Sequence, residues 1–344
     1  MNNYKGDALN YLILDLLRKG KAINTGSLTE SQLQYLYKQC SQLGILPYVS
    51  PVIDVEPFRS HYAVNSLKVK KNLKYIKRLY NKLHIDFAVF KGIPLAFTAY
   101  KNIYSRIAGD IDIIIKKQNF ESVREFLLRD GFFQVGRSHL RQDERNLHVQ
   151  AFYREKDDIL VGVHWMLSNP LIVRLDYNDL DFTHLEIEKV KLKTLTAEWQ
   201  FVNLCIHLFQ HAFPLRIFLD IYKLATEVNL DCRNIMQIVT KHKLEYMVHL
   251  AVVSASSVFE TKDLIPFEFC TSTLSKRKAE AFSKFLSSPI WLFRLRRLVC
   301  SIPYLDELFV HLVLGKLPPL SMNNVFSLPI DFIKRIEGKY AVSR

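Results

Sequence analysis

Asp110 and Asp112 stand two residues apart at the head of the run Asp110-Ile111-Asp112-Ile113-Ile114-Ile115. In a strand, residues i and i+2 point to one face, so this spacing sets two carboxylates side by side and turns Ile111 and Ile113 into the core. Adjacent carboxylates repel each other and are costly to desolvate. A divalent cation relieves both problems. An all-oxygen ligand set suits Mg²⁺ or Mn²⁺, which bridge to substrate phosphates and polarise a phosphoryl group for in-line attack by a hydroxyl. The residues just before the pair add what such a site needs. An apolar run, 87–90, ends at Lys91-Gly92, and a helical stretch, 93–100, follows with Pro94 in its first turn. Backbone N–H groups at a helix N-terminus bind phosphate, Gly92 permits close backbone approach, and Lys91 supplies positive charge. Arg106 lies close enough in sequence to reach an anionic substrate.

These residues need a scaffold, and the hydrophobic periodicity outlines one. Residues 7–48 read as two helices, the first gathering Tyr11, Leu12, Leu14, Leu16 and Leu17, the second Leu33, Leu36, Tyr37 and Cys40. A Pro-containing link, 47–57, follows. Over 60–83, Val69, Leu73, Ile76, Tyr80 and Leu83 recur in steps of four and three, one buried helical stripe. Lys70, Lys71, Lys74, Lys77, Arg78 and Lys82 fill the other side, interleaved only with Tyr75, which reads as a solvated face rather than a nucleic-acid platform. Strands are expected at 87–90, 110–115, 147–152 and 159–165, with an amphipathic helix at 119–129 stopped by Asp130-Gly131. Helices are expected at 196–212, 216–228, 233–242, 245–259, 274–286 and 289–300. The fold class is therefore α+β: a small mixed α/β sheet with flanking helices, N-terminal helices and a C-terminal helical domain. The division is 1–83, 84–190 and 191–344.

Composition narrows the setting. The 344 residues carry a net charge of +13, which favours polyanionic partners: nucleotides, nucleic acid or an anionic surface. The five cysteines are widely spaced with no C-x-x-C, against a disulfide framework or zinc ribbon and in favour of a reducing compartment. Neither a signal peptide nor a transmembrane segment is expected, because the longest apolar runs, such as 247–259, are too short and contain His and Ser. The reading is a cytoplasmic protein.

The ordered motifs Phe90-Lys91-Gly92, Arg106-x-x-Gly109-Asp110-Ile111-Asp112 and Asp130-Gly131-Phe132 resemble the uncharacterised bacterial nucleotidyltransferase family of the DNA polymerase β superfamily. Val163-His164-Trp165 resembles that family's hydrophobic-His-Trp strand. His207 and His211, followed by Arg216 and Asp220, resemble its helical segment. The likeness spans roughly residues 65–225. It implies a nucleotidyltransferase-type sheet in which Asp110 and Asp112 hold the metal, while Lys91, Gly92, Arg106 and Gly109 meet a nucleoside triphosphate. The reaction implied is transfer of a nucleoside monophosphate to an acceptor hydroxyl, and the acceptor class stays open among small molecules, glycan precursors, peptides, proteins and RNA. The resemblance also expects a third carboxylate two residues before the strand histidine, where this chain has Gly162. Asp158 shares that strand parity but lies four residues away, roughly 13 Å along an extended strand. His164, on the same face as Gly162, is the candidate auxiliary ligand or base, and Trp165 faces the core. The alternative reading is a weakly active module that binds nucleotide, RNA or a protein partner.

His207 and His211 share one helix face, but Leu208 and Phe209 stand where H-E-x-x-H would carry its Glu, so they read as packing histidines with Asp220 as orienting partner. Ser168 and His184 form no readable nucleophile–base set. The segment 291–298, with Arg294, Arg296 and Arg297 among large apolar residues, reads as an amphipathic helix.

Overall fold

Five strands form the central sheet, in the order β1-β2-β5-β4-β3. They are β1 (Phe87–Phe90), β2 (Ile111–Ile115), β3 (Phe133–Val135), β4 (Val149–Arg154) and β5 (Ile159–His164). The pair β2/β5 is parallel and the other pairs are antiparallel, so the sheet is mixed. The computed structural model describes residues 3–19, 25–53, 55–135, 148–170, 172–211, 214–262, 264–265 and 273–288.

Every residue of β1 and β2 is buried, because both faces of the sheet are covered. Strand alternation sorts the side chains between two cores. Phe87, Val89, Ile111, Ile113, Ile115, Val161 and Val163 join one, under α4 (Phe58–Lys82) and α6 (Phe120–Arg129). Ala88, Phe90 and Ile114 join the other, shared with the helices α1 (Asn3–Lys19), α2 (Glu30–Gln42) and α3 (Leu46–Val49) and with the C-terminal helices. Those are α7 (Ala197–Gln210), α8 (Leu215–Glu227), α9 (Cys232–Lys241), α10 (Glu245–Phe259) and α11 (Thr273–Leu286). Asp112 lies on the second face, so it is aimed at the helical layer rather than at α4.

The expected helices are close to those observed, with three differences. Tyr11 is 58% exposed, since it falls outside the stripe of Ile13, Leu14, Leu16 and Leu17. The 47–57 link contains the short helix α3, with Pro47 in its first turn. Tyr75 belongs to the core rather than the basic face: it is buried, donates its hydroxyl to Asp130 at 3.0 Å and lies under the Arg154 guanidinium. Three strands lie beyond the expected set: β3 at the sheet edge, and β6 (Phe182–Ile187) and β7 (Val190–Leu195), which make a hairpin. Residue 190 opens β7, so a division there passes through this hairpin. Tyr80 of α4 brackets Lys193, accepting from its N–H at 2.8 Å and donating to its carbonyl at 3.2 Å. Trp165 is buried edge-on to Phe120, as a core position should be. The 289–300 helix and the Arg294, Arg296, Arg297 segment lie outside the described residues. No helix among the described residues is long and apolar enough to cross a membrane.

Candidate active site

The loop into the Asp pair is held from below by α4. Asn65 and Asn72 lie on its buried stripe with Val69 and Ile76. The Asn65 amide donates to the carbonyls of Tyr104 at 2.8 Å and Arg106 at 3.2 Å, and that of Asn72 to Ala108 at 3.0 Å. An extended loop over a helix has no ladder to satisfy its carbonyls, and these two amides do so. The reading of α4 from its apolar residues missed them. Their signal was two asparagines seven residues apart within an apolar stripe.

Asp110 precedes β2 and is exposed, and Asp112 inside the strand is buried. Asp112 Oδ1 meets His164 Nε2 at 2.7 Å, and Oδ2 lies 3.6 Å from Lys91 Nζ. Burial alone would raise the Asp112 pKa, but the charge of Lys91, and then His164, holds it well below the usual carboxylate range. Asp110 is treated oppositely. Among the described residues it has no hydrogen-bond or ion-pair partner, and the Asp112 charge, seconded by burial, raises its pKa against the pull of Lys91, Arg216 and Arg106.

Lys91 occupies a strained turn between β1 and α5 (Gly92–Ala99), with φ +57° and ψ −129°. A non-glycine residue in this region costs on the order of 1–3 kcal/mol, and such strain concentrates at functional sites. The turn sets the Lys91 ammonium over the Phe90 ring at 4.8 Å and beside Asp112. No side chain caps α5, and Pro94 removes one free donor, which leaves the N–H groups of Gly92 and Ile93. A Cβ on Gly92 would sit 3.4 Å from the Asp110 carbonyl, an ordinary contact, and one on Gly109 would meet nothing within 4 Å. Gly109 leaves open space beside the pair, whereas Gly92 packs against it.

His164 does not fit the role of base. A carboxylate only accepts, so Nε2 carries the proton and donates to Asp112. Nδ1 is buried without a partner. Burial first, then Lys91, lowers its pKa and keeps the ring neutral. His164 orients Asp112, leaving Oδ2 turned toward Lys91. Gly162 explains the arrangement: it pairs with Asp112 across the β2/β5 ladder, and a Cβ there would lie 2.7 Å from Asp112 Oδ1 and 3.3 Å from His164 Nε2. The histidine–aspartate bond fills the space a side chain at 162 would take. Neither alternative carboxylate substitutes. Asp158 sits in a left-handed turn before β5, bound to Lys68 and Tyr153. Asp220 is engaged elsewhere. Among the described residues no group of three or more His, Cys, Asp or Glu side chains could hold a metal ion.

Arg106 departs from its expected role. Its guanidinium grips Asp220 of α8 through Nε and Nη2, both at 2.8 Å, and Nη1 donates to the Gly92 carbonyl at 3.1 Å. Tyr100 donates to the same carboxylate at 2.6 Å. Burial would lower the Arg106 pKa, and Asp220 outweighs it. The planar fork is committed to a buried carboxylate, so Arg106 ties the Lys91-Gly92 turn to the helical layer instead of reaching phosphate. Asp220 consequently does not orient His207 and His211. Those rings meet edge to face at 4.3 Å, and His207 Nδ1 bonds Gln210 at 2.8 Å. Burial, then Lys91 and His211, keeps His207 neutral. Ser168 bonds only the backbone carbonyls of Asn169 and Val173, as expected of a residue outside any catalytic set.

A family model described as uncharacterised nucleotidyltransferase matches residues 30–260. Two solved structures are similar to the chain. One is the lincosamide antibiotic adenylyltransferase LnuA with lincomycin bound, at 19% identity and TM-score 0.34, covering 46% of this chain and 97% of that one. The other is an antigenic nucleotidyltransferase-like protein from Paracoccidioides brasiliensis, at 16% identity and TM-score 0.36, covering 57% of this chain and 99% of that one. No curated protein matches it.

Proposed function

The chain belongs to the uncharacterised nucleotidyltransferase family, and from that premise we propose that it binds a nucleoside triphosphate with a divalent cation on Asp110 and Asp112 and transfers the nucleoside monophosphate to an acceptor hydroxyl. The observation that carries this reading is the unpartnered Asp110 carboxylate beside Asp112. The buried carboxylate of Asp220 nearby is matched by donors, whereas Asp110 and Asp112 repel each other. Asp110 and Asp112 would hold a divalent cation, since two adjacent carboxylates are oxygen ligands of the kind Mg²⁺ or Mn²⁺ takes. When bound, the ion supplies charge neutralisation and polarisation of the phosphoryl group.

The chain's own residues do the rest. His164 fixes the Asp112 rotamer. Lys91 and the N–H groups of Gly92 and Ile93 receive phosphate oxygens, and Gly109 leaves room for the nucleotide. Arg106 positions the turn through Gly92. In the transfer, a bond forms between the acceptor oxygen and the α-phosphorus, the acceptor's proton passes to water, the bond from that phosphorus to the bridging oxygen breaks, and pyrophosphate leaves. Binding of a nucleoside triphosphate that depends on Mn²⁺ should vanish in the Asp110→Ala/Asp112→Ala double variant, and unchanged binding there would sink the assignment.

Gly162 favours a second reading. With the third carboxylate's place filled by the His164–Asp112 bond, and with His164 sealed, neither position 162 nor His164 stands ready to take the acceptor's proton. That arrangement suits a module that binds nucleotide and turns over slowly. Incubation with labelled triphosphates separates the two, because a pyrophosphate-releasing product rejects the binding-only reading.

A further inference from the structure

Arg216 lies in the first turn of α8, four residues before Asp220, so the two side chains share a helix face, about 6 Å apart along the axis. That face meets the Lys91-Gly92 turn, because Asp220 holds Arg106 and Arg106 holds the Gly92 carbonyl. Arg216 is half-buried, and its stem crosses Gly44, where a Cβ would come within 3.2 Å of the Arg216 Cδ. Gly44 has φ +69°, a conformation that also favours glycine, so the α2–α3 turn leaves a channel for the arginine.

The guanidinium at the end of this channel has no hydrogen-bond or ion-pair partner among the described residues. Asp220 cannot serve it: one oxygen accepts from Tyr100 and Arg106 Nε, the other from Arg106 Nη2. Five N–H donors held partly out of water without an acceptor are costly. Arg216 is also among the charges that pull the Asp110 pKa down, so its positive charge is felt at the candidate cation-binding carboxylate. Two arginines therefore converge on Asp220, and only one is used.

We propose that Arg216 is the arginine that receives the triphosphate, so that the phosphate site is closed by Lys91 from the sheet and Arg216 from the helical layer. This rests on the nucleotidyltransferase reading above and assigns to Arg216 the contact the sequence had suggested for Arg106. A planar guanidinium takes two oxygens of one phosphate, and a ligand bridging Lys91 and Arg216 is gripped between layers whose spacing the Arg106–Asp220 bond sets.

The test titrates inorganic tripolyphosphate, with Mg²⁺, into the full chain by calorimetry, which makes base preference irrelevant. Arg216→Gln should weaken binding by about tenfold or more, and Arg216→Lys by less, since it keeps the charge and loses the fork. Tripolyphosphate should raise the melting temperature of the wild type and leave that of Arg216→Gln unmoved. Should Arg216→Gln not fold, Arg216→Lys decides: affinity equal to wild type overturns the proposal. A folded Arg216→Gln that binds as tightly as wild type overturns it as well and leaves the nucleotide reading standing. A wild type that takes up neither tripolyphosphate nor any nucleoside triphosphate overturns both.

Discussion

Asp220 in the helical layer and Asp110 at the head of β2 are treated in opposite ways. Asp220 is 1% exposed and saturated, with Arg106 gripping both oxygens and Tyr100 adding a third donor. Asp110 is exposed, unpartnered among the described residues and repelled by Asp112. Asp130 repeats the first pattern at the far edge of the sheet, where Tyr75, Arg78 and Arg154 all donate to it. The contrast separates carboxylates saturated by donors from one left without a partner among the described residues. A saturated carboxylate is already spent on its neighbours, and an unsaturated one beside a like charge has work only when a cation arrives.

The comparison breaks most sharply at Asp220. Asp220→Ala leaves Arg106 buried without a counter-charge and should cost about 3–5 kcal/mol of stability, read as a drop in denaturation midpoint. A loss below about 1 kcal/mol would show that Asp220 is not the anchor described here.

Gly162→Ala comes next. Its Cβ would lie 2.7 Å from Asp112 Oδ1, so either the His164 bond or the strand must shift. The expected cost is about 1–3 kcal/mol, with a changed His164 ring resonance by NMR. For the same reason Gly162→Asp should not restore a third carboxylate without displacing His164.

Asp110→Asn should do the reverse of Asp220→Ala. It removes the repulsion with Asp112, so melting temperature should hold or rise by about 1–2 °C while Mn²⁺-dependent nucleotide binding is lost. The pH dependence has the same origin. The raised Asp110 pKa favours the protonated fold, so its contribution to stability is fully present below the ordinary carboxylate value and fades as pH rises through the raised one. The depressed Asp112 pKa acts oppositely: its contribution is present above the ordinary value and is lost as pH falls toward the depressed one. Cation binding needs Asp110 ionised. It should therefore weaken on acidification at a higher pH than an isolated carboxylate would dictate, and Asp110→Asn should abolish that inflection.

The smallest effect belongs to Asp158, whose exposed pair with Lys68 spans 3.4 Å. Asp158→Ala should shift stability by about 0–1 kcal/mol and leave cation affinity unchanged, and a marked loss of affinity would mean it reaches the site after all.

Much of this was legible in the residues themselves. The alternation at 110–115 assigns Ile111, Ile113 and Ile115 to one core and Asp112 to the other face, because side-chain direction in a strand follows from backbone geometry alone. The Lys91-Gly92 turn, the stripe on α4 and most of the C-terminal helices were legible for the same local reason. The hairpin β6/β7 was missed. Its alternation, Leu185-Glu186-Ile187 and Val190-Lys191-Leu192-Lys193, is that of a half-buried ribbon, and Ile187 and Leu192 do reach the core, so this signal was present and was passed over.

What only the tertiary structure decided is how the charges are shared. Arg106 lies four residues from Asp110 but turns to Asp220, 114 positions along the chain. Nothing local distinguishes an arginine that will meet a buried carboxylate from one that will meet a ligand. The same holds for His164, whose role depends on Gly162 leaving room for it to reach Asp112, and for Asn65 and Asn72, whose partners are carbonyls of a distant loop. The sequence by itself determined which residues face which layer and that two carboxylates would stand together. The packing of the helical layer against the sheet decided which charges cancel and which, at Asp110 and Arg216, stay unpaired among the described residues.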